Sequence, residues 1–241
     1  MDLKEENALN GIPEEHWYYV SKGRALTNMV DAKHMPKVLD VGAGSGVFPK
    51  AFIADGFCDT AICVDPNYSD AWLQDNQHPS IEFVRGVDHV DADLVTMIDV
   101  LEHVDDDVEL LSLYADKAAP GTTFLLSVPA FQYLWSSHDE YLDHRRRYTL
   151  KMLRNTAERS GLEPVKMRYF FGALFPAAAA SRIADRLLSR GKEAKASAMG
   201  SVPGPLNKAL IGIHDIERMV MMPWNKLFGV SAFCVAVKPD N

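Results

Sequence analysis

The chain has 241 residues, with 33 acidic against 25 basic side chains and a formal net charge of −8. That length suits one α/β domain with a modest elaboration and is ample for a buried core. The acidic balance argues against a nucleic-acid surface built on bulk electrostatics, because phosphate binding needs clustered cations; Arg145-Arg146-Arg147 is the local exception. Cys58, Cys63 and Cys234 stand singly, match no metal or redox spacing, and are expected as buried thiols in a reducing compartment. Residues 1–10 are polar and acidic, unlike a secretory signal, and the nearest apolar run, residues 169–180, is too short for a span of ~20 residues. A soluble, cytoplasmic protein is expected.

In chain order, residues 13–32 predict a helix carrying His16-Trp17-Tyr18-Tyr19, Lys22 and Arg24. Strands are predicted at 37–41, 61–65, 81–85, 94–99 and 122–128, with helices after the first, second, fourth and fifth. This alternation argues for a parallel sheet with crossover helices. Residues 150–160, closed by Gly161, read as a capped helix, and 163–171 and 229–238 as strands. A structureless loop of such length between those strands is improbable. Residues 175–188 and 206–221 carry helical patterns, joined by a Gly-, Ser-, Lys- and Pro-rich connector at 191–205.

The first strand runs into Asp40-Val41-Gly42-Ala43-Gly44-Ser45-Gly46, where backbone rather than side chain is expected to meet a ligand. The glycine order is G-x-G-x-G, and Val47 occupies the place where a dinucleotide fingerprint has its third glycine. A carboxylate at Asp40 would repel a pyrophosphate but suits an ammonium, so a cationic, phosphate-free cofactor is expected. Asp65 ends the second strand nineteen positions beyond Gly46, where an acid can accept both ribose hydroxyls.

The Asp40–Gly46 motif, the Asp65 strand tip and the run from Asp93 through Asp99-Val100-Leu101-Glu102-His103 together resemble class I S-adenosylmethionine-dependent methyltransferases, over roughly residues 12–171 with a last strand near 229–238. The resemblance implies a Rossmann-like seven-stranded α/β sheet, mostly parallel with the last strand antiparallel and helices on both faces. It makes 172–228 a helical insertion, read as a lid or an oligomer interface such as that of a homodimer, and 1–36 a helical cover on a single domain. The cofactor would be S-adenosyl-L-methionine, released as S-adenosyl-L-homocysteine. Its contacts would be Asp40, Gly42, Ala43, Gly44, Gly46, Asp65 with Pro66, Asp99 with Val100, and Asp88 against the adenine amine, although Asp88 stands one place later than usual.

Asp99, Glu102 and His103 fall at i, i+3 and i+4, on one face if the chain turns helically after the fourth strand. Three readings follow: a divalent cation on the three, as some relatives that methylate vicinal hydroxyls or RNA ends place on a similar set; an acid-rich helix start; or His103 as a general base. After the fifth strand, His138-Asp139 and His144-Arg145-Arg146-Arg147-Tyr148 sit where open α/β folds bind ligands. A subset of bacterial methyltransferases carries a similar run. His138 is a candidate catalytic group, and His138, His144, Arg147 and Tyr148 candidate acceptor contacts; the alternative is a solvated arginine run. Tyr19 and Arg24 are candidates near the methionine end of the cofactor, against plain helix packing. The expected function is methyl transfer to oxygen or nitrogen of a small, anionic or amphipathic acceptor. The alternatives are a non-catalytic cofactor-binding subunit, a metal-assisted O-methyltransferase acting on RNA or vicinal hydroxyls, and an NAD-dependent oxidoreductase.

Overall fold

The computed structural model describes residues 13–188 and 202–240. A 3-10 turn at Pro13–Glu15 leads into α1 (Trp17–Met29). There follow β1 (Lys37–Val41), α2 (Val47–Ala54), β2 (Thr60–Val64), α3 (Asp70–Asp75), β3 (Ile81–Val84), β4 (Leu94–Ile98), α4 (Asp107–Lys117) and β5 (Thr123–Pro129). The last part holds α5 (Ser137–Tyr141), α6 (Leu150–Arg159), β6 (Glu163–Phe170), α7 (Phe175–Leu188), α8 (Gly204–Val220) and β7 (Ser231–Val237). Most of the connector expected at 191–205 lies outside the described residues.

The seven strands form one sheet in the order β3-β2-β1-β4-β5-β7-β6. β1 to β5 run parallel, and β7 lies antiparallel between β5 and β6. Side chains alternate across each strand, so Val38, Leu94, Leu125 and Phe233 build one core with α1 and α2. Their neighbours Leu39, Val95, Leu126 and Cys234 build the other, with α4 and α6. Strand order reverses between β1 and β4, the place where an open parallel sheet leaves a crevice at its carboxyl edge. Both the glycine turn and the Asp99 segment leave the sheet there.

Two sequence expectations shift at the edges of that crevice. Residues 99–105 are a turn and not a helix start, because Asp99 takes a left-handed backbone (φ +55°) that ends any helical run from β4. Helix α4 therefore begins at Asp107, capped by Asp106, whose carboxylate accepts the Glu109 N–H at 2.9 Å. Further on, α8 is fastened to the sheet by buried Glu217, whose carboxylate accepts the Gly172 N–H (2.6 Å) and lies 2.9 Å from His214 Nδ1. His214 in turn stacks on Trp17 of α1 at 5.6 Å between ring centroids.

Glu217→Ala leaves a buried amide and a buried imidazole without partners, so it should cost about 3 kcal/mol of unfolding free energy by urea titration. A loss below about 1 kcal/mol would show that the latch contributes little.

Candidate active site

The glycine turn is built to close on itself. Gly42, Gly44 and Gly46 all sit at positive φ (68°, 53° and 72°), which a β-carbon would strain. The Gly42 and Ala43 amides donate to Val64 O at 2.7 and 3.2 Å, Gly44 donates to Asp65 Oδ2 at 3.2 Å, and Gly46 donates to Ala43 O at 3.0 Å. With those amides engaged by protein acceptors, the turn lacks the row of outward N–H groups that cradles a pyrophosphate. Gly46 serves packing: a β-carbon there would stand 3.0 Å from the Phe83 ring and 3.3 Å from Cys63 Sγ. It supplies the close helix–strand approach that a later glycine gives a dinucleotide site.

Two further groups pin the turn. Asp65 Oδ1 accepts the Asn67 N–H at 2.9 Å, and the buried Tyr68 hydroxyl donates to Gly44 O at 2.6 Å. Tyr68, stacked on Trp72 at 4.2 Å, was not marked by the sequence pattern. Asp40 lies buried beneath the turn and accepts the Thr96 hydroxyl at 2.6 Å. Burial pushes its carboxyl up to about 6, with the Thr96 hydrogen bond pulling the other way. No cation stands against it among the described residues.

Two cavities open on this edge of the sheet. The first, about 540 Å³, is lined by Gly42, Asp65, Pro66, Gly86, Val87, Asp99, Val100 and His103, with Leu110, Leu113 and Tyr114 of α4 supplying an apolar wall. The second, about 210 Å³, is lined by Tyr18, Tyr19, Phe48, Asp99, Glu102, His103, Pro129, His138, His144, Arg147, Phe171, Leu174 and Arg182. Asp99 and His103 line both.

Asp99 is held by a buried Lys22, whose ammonium binds its carboxylate, while Ser127 Oγ donates at 3.1 Å and the Asp99 N–H donates to Ser127 O at 2.8 Å. Burial raises the Asp99 carboxyl, but the Lys22 charge and the hydrogen bonds outweigh it and leave the group below its ordinary range. Glu102 is the opposite case. It is fully buried, both carboxylate oxygens lack a hydrogen-bond partner, and burial together with the charge of Asp99 holds it well above the usual carboxylate range.

The loop after α5 is organised around Asp139, 0 % exposed. Its carboxylate receives the Arg147 guanidinium as a fork (2.7 and 3.0 Å), the Ser136 N–H (2.8 Å) and the His144 Nδ1–H (2.9 Å). Burial raises this acid too, but the His144 and Arg147 hydrogen bonds prevail and hold it far below the ordinary value. Arg146 donates to Val104 O and Asp105 O (2.9 and 2.7 Å), tying the loop to the turn after β4.

Four of the expected site residues move to other roles. Arg24 points away on α1 and pairs with Asp215 of α8 at 2.6 Å; two positions on a helix are roughly 200° apart, so Lys22 faces the site in its place. Asp88 is exposed and lines neither cavity, Gly86 and Val87 taking that edge. Tyr148 is 1 % exposed and donates to Leu101 O (3.1 Å) and Asp107 Oδ2 (2.8 Å), a core role. Arg147 reaches the second cavity with its charge already matched by Asp139. Tyr19, His138 and His144 do line that cavity. Of the set Asp99, Glu102 and His103, the last two gather with His144, because Lys22 engages Asp99.

The methyltransferase domain family matches residues 16–167, more than half of the chain. The chain belongs to that family. No curated protein matches its sequence. Among solved structures, a SAM-dependent methyltransferase from Archaeoglobus fulgidus is 19% identical with a TM-score of 0.57, covering 97% of each chain. A chain of the complex between the Haloferax volcanii Trm112 methyltransferase activator and a methyltransferase gives 17% identity and a TM-score of 0.59, over 95% of this chain and 92% of that one. Phosphoethanolamine N-methyltransferase 2 of Haemonchus contortus, in complex with S-adenosyl-L-methionine, gives 16% and 0.55, over 91% of this chain and 52% of that one. These likenesses establish the class I S-adenosylmethionine-dependent methyltransferase fold for this chain.

The Lys22–Asp99 pair is testable by a double-mutant cycle. Lys22→Met strands a buried carboxylate and should cost about 3 kcal/mol, and Lys22→Met combined with Asp99→Asn should recover most of it. A coupling energy below about 0.5 kcal/mol by urea unfolding would remove the pair from this account.

Proposed function

We propose that this methyltransferase family member transfers a methyl group from S-adenosyl-L-methionine to oxygen or nitrogen of a small-molecule acceptor. The observation that carries the proposal is the meeting of two cavities at Asp99 and His103, one beneath the glycine turn and one beneath α1. Two ligands seated in them would meet beside those side chains, and an in-line displacement needs the acceptor atom about 3–3.5 Å from the methyl carbon.

The residues of the first cavity suit the cofactor. Asp40, buried beneath the glycine turn and outside the lining of that cavity, has no cation against it among the described residues, and an ammonium group directly or through water would supply one. Asp65, at the tip of β2, is placed for ribose hydroxyls, and Leu110, Leu113 and Tyr114 for the adenine ring. When bound, the cofactor supplies a methyl carbon already activated by its sulfonium. What remains for the protein is to position the acceptor, exclude water and take a proton from it.

In the second cavity Tyr18, Phe48, Phe171 and Leu174 give an apolar surround, and His103, His138 and His144 give groups able to accept a proton. Such a lining suits an amphipathic acceptor. The described start of the 172–228 insertion is read as a lid, since Leu174 and Arg182 come from it, and α1 as a cover that brings Tyr18, Tyr19 and Lys22. The net charge of −8 disfavours nucleic acid as the acceptor.

Calorimetry with S-adenosyl-L-homocysteine tests the cofactor half. Asp65→Ala should weaken binding by tenfold or more, and no binding to the parent protein would end the proposal. The pH dependence follows from Asp40: its folded value of about 6 means that below pH 6 the free protein must give up a proton to bind a cationic group. Affinity should therefore fall by roughly tenfold from pH 7 to pH 5, and Asp40→Asn should flatten the profile. The same raised value means the folded state binds the extra proton between about pH 4 and 6. The unliganded protein should thus lose stability as pH rises through that window, and Asp40→Asn should remove that slope.

A further inference from the structure

We propose that Glu102, His103 and His144 form a site for one divalent transition-metal ion of the zinc class in the wall of the acceptor cavity. A carboxylate oxygen of Glu102 and one ring nitrogen from each histidine lie within 4.8 Å of one another. The three come from two segments far apart in sequence. The Arg145 N–H donates to Glu102 O at 2.6 Å, and Arg146 spans the same junction, so the backbone itself is stitched together at the cluster.

Three separate observations point to a cation. The Glu102 side chain is fully buried and, among the described residues, neither oxygen has a hydrogen-bond partner on another residue, an arrangement that costs several kcal/mol unless something positive or donating sits against it. His144 has its Nδ1–H donated to Asp139 at 2.9 Å, which fixes the tautomer and leaves Nε2 as the ligating atom. Metal-binding imidazoles are oriented by such a carboxylate behind them. Asp139 is itself immobilised by the Arg147 fork and the Ser136 amide. The His103 and His144 rings stand edge to face at 4.7 Å, converging on the side where Glu102 lies.

Asp99 belongs to a different interaction. Lys22 and Ser127 occupy its oxygens, so His144 completes the set. Ligands about 2.1 Å from a common ion stand about 3.4 Å apart in a tetrahedron, and rotation about the Glu102 and histidine side-chain torsions covers the difference. Two imidazoles and one carboxylate favour zinc, cobalt or nickel over the all-oxygen shells of calcium and magnesium. Three protein ligands with a fourth position facing a cavity is the donor pattern of a catalytic rather than a structural ion.

The inference deepens the methyltransferase reading and rests on it for its role: the open position would take an acceptor hydroxyl. The ion would lower the pKa of that hydroxyl, its proton passing to His138 or water. The C–O bond then forms as the methyl C–S bond breaks, leaving a thioether. The acceptor class is thus an alcohol or phenol with an oxygen that reaches the ion.

The test uses the full chain, stripped with chelator and titrated with Zn²⁺ by calorimetry and with Co²⁺ by visible absorption. One equivalent per chain is expected, with Co²⁺ bands of a low-coordinate nitrogen-bearing site. Glu102→Gln and His144→Asn should each abolish the bands, and Asp139→Asn should weaken affinity by about ten- to a hundredfold. Calorimetry of S-adenosyl-L-homocysteine on the same proteins reports the fold and the cofactor site independently. Absence of metal binding with cofactor binding intact would sink the metal site alone, as would metal binding indifferent to Glu102→Gln and His144→Asn. Absence of cofactor binding in a protein that still takes up metal would sink the methyltransferase reading alone.

Discussion

Asp99 carries a β-carbon yet holds a left-handed backbone, a conformation that costs about 1–2 kcal/mol and persists only where the surroundings over-determine it. Here the surroundings are Lys22 from α1 and Ser127 from β5, both closed on the one carboxylate. The reversal at Asp99 decides where each following side chain goes. Val100 turns back to within reach of Gly42, Leu101 enters the core, and Glu102 and His103 reach the second cavity. Without that turn the strand would run on into a helix and the two cavities would have no common wall.

The electrostatics of the site follow from which acids receive a partner. Asp65 is met by backbone amides, Asp99 by Lys22, and Asp139 by Arg147 and His144. Among the described residues Asp40 has only a hydroxyl against it, and neither Glu102 oxygen has a hydrogen-bond partner on another residue. Both unmatched acids are buried and both have their carboxyls displaced upward, by burial in each case. One lies under the glycine turn and the other in the wall of the second cavity.

The strands and nearly all helices were legible because their cues are local. Alternating and continuous apolar runs marked β1 to β7 to within two residues, and Pro and Gly punctuation marked the helix ends. The glycine turn was legible for the same reason: Asp40, the glycines and Asp65 lie within 26 residues, and their spacing encodes one turn and two strand tips. The glycine roles were only partly so, since Gly46 faces Phe83 and Cys63 across a contact that no local pattern records. The acceptor half failed where pairing is long-range. Lys22 finds Asp99 77 positions away, and Tyr148 finds Asp107 41 positions away. Arg24 and Lys22 are equivalent by residue type, and only the direction of α1 over the sheet separates a surface ion pair from the buried one.

This difference in range explains a difference in construction. The glycine turn sits on the carboxyl ends of adjacent parallel strands, whose register sets Asp40 beside Cys63 and Thr96, and α4 with the turn after β4 closes the first cavity over it. The acceptor cavity is assembled from α1, the turn after β4, the loop after α5 and the start of the 172–228 segment. Each of these is fastened by its own polar latch: Lys22 on Asp99, Arg145 and Arg146 on the β4 turn, Arg147 on Asp139, and Glu217 on Gly172. Because the latches share no side chain with the strands' ladder bonds, the walls of the acceptor cavity can differ among proteins of this fold while the sheet and its glycine turn stay the same. The second cavity is therefore shaped by the latched segments, and the glycine turn by the sheet.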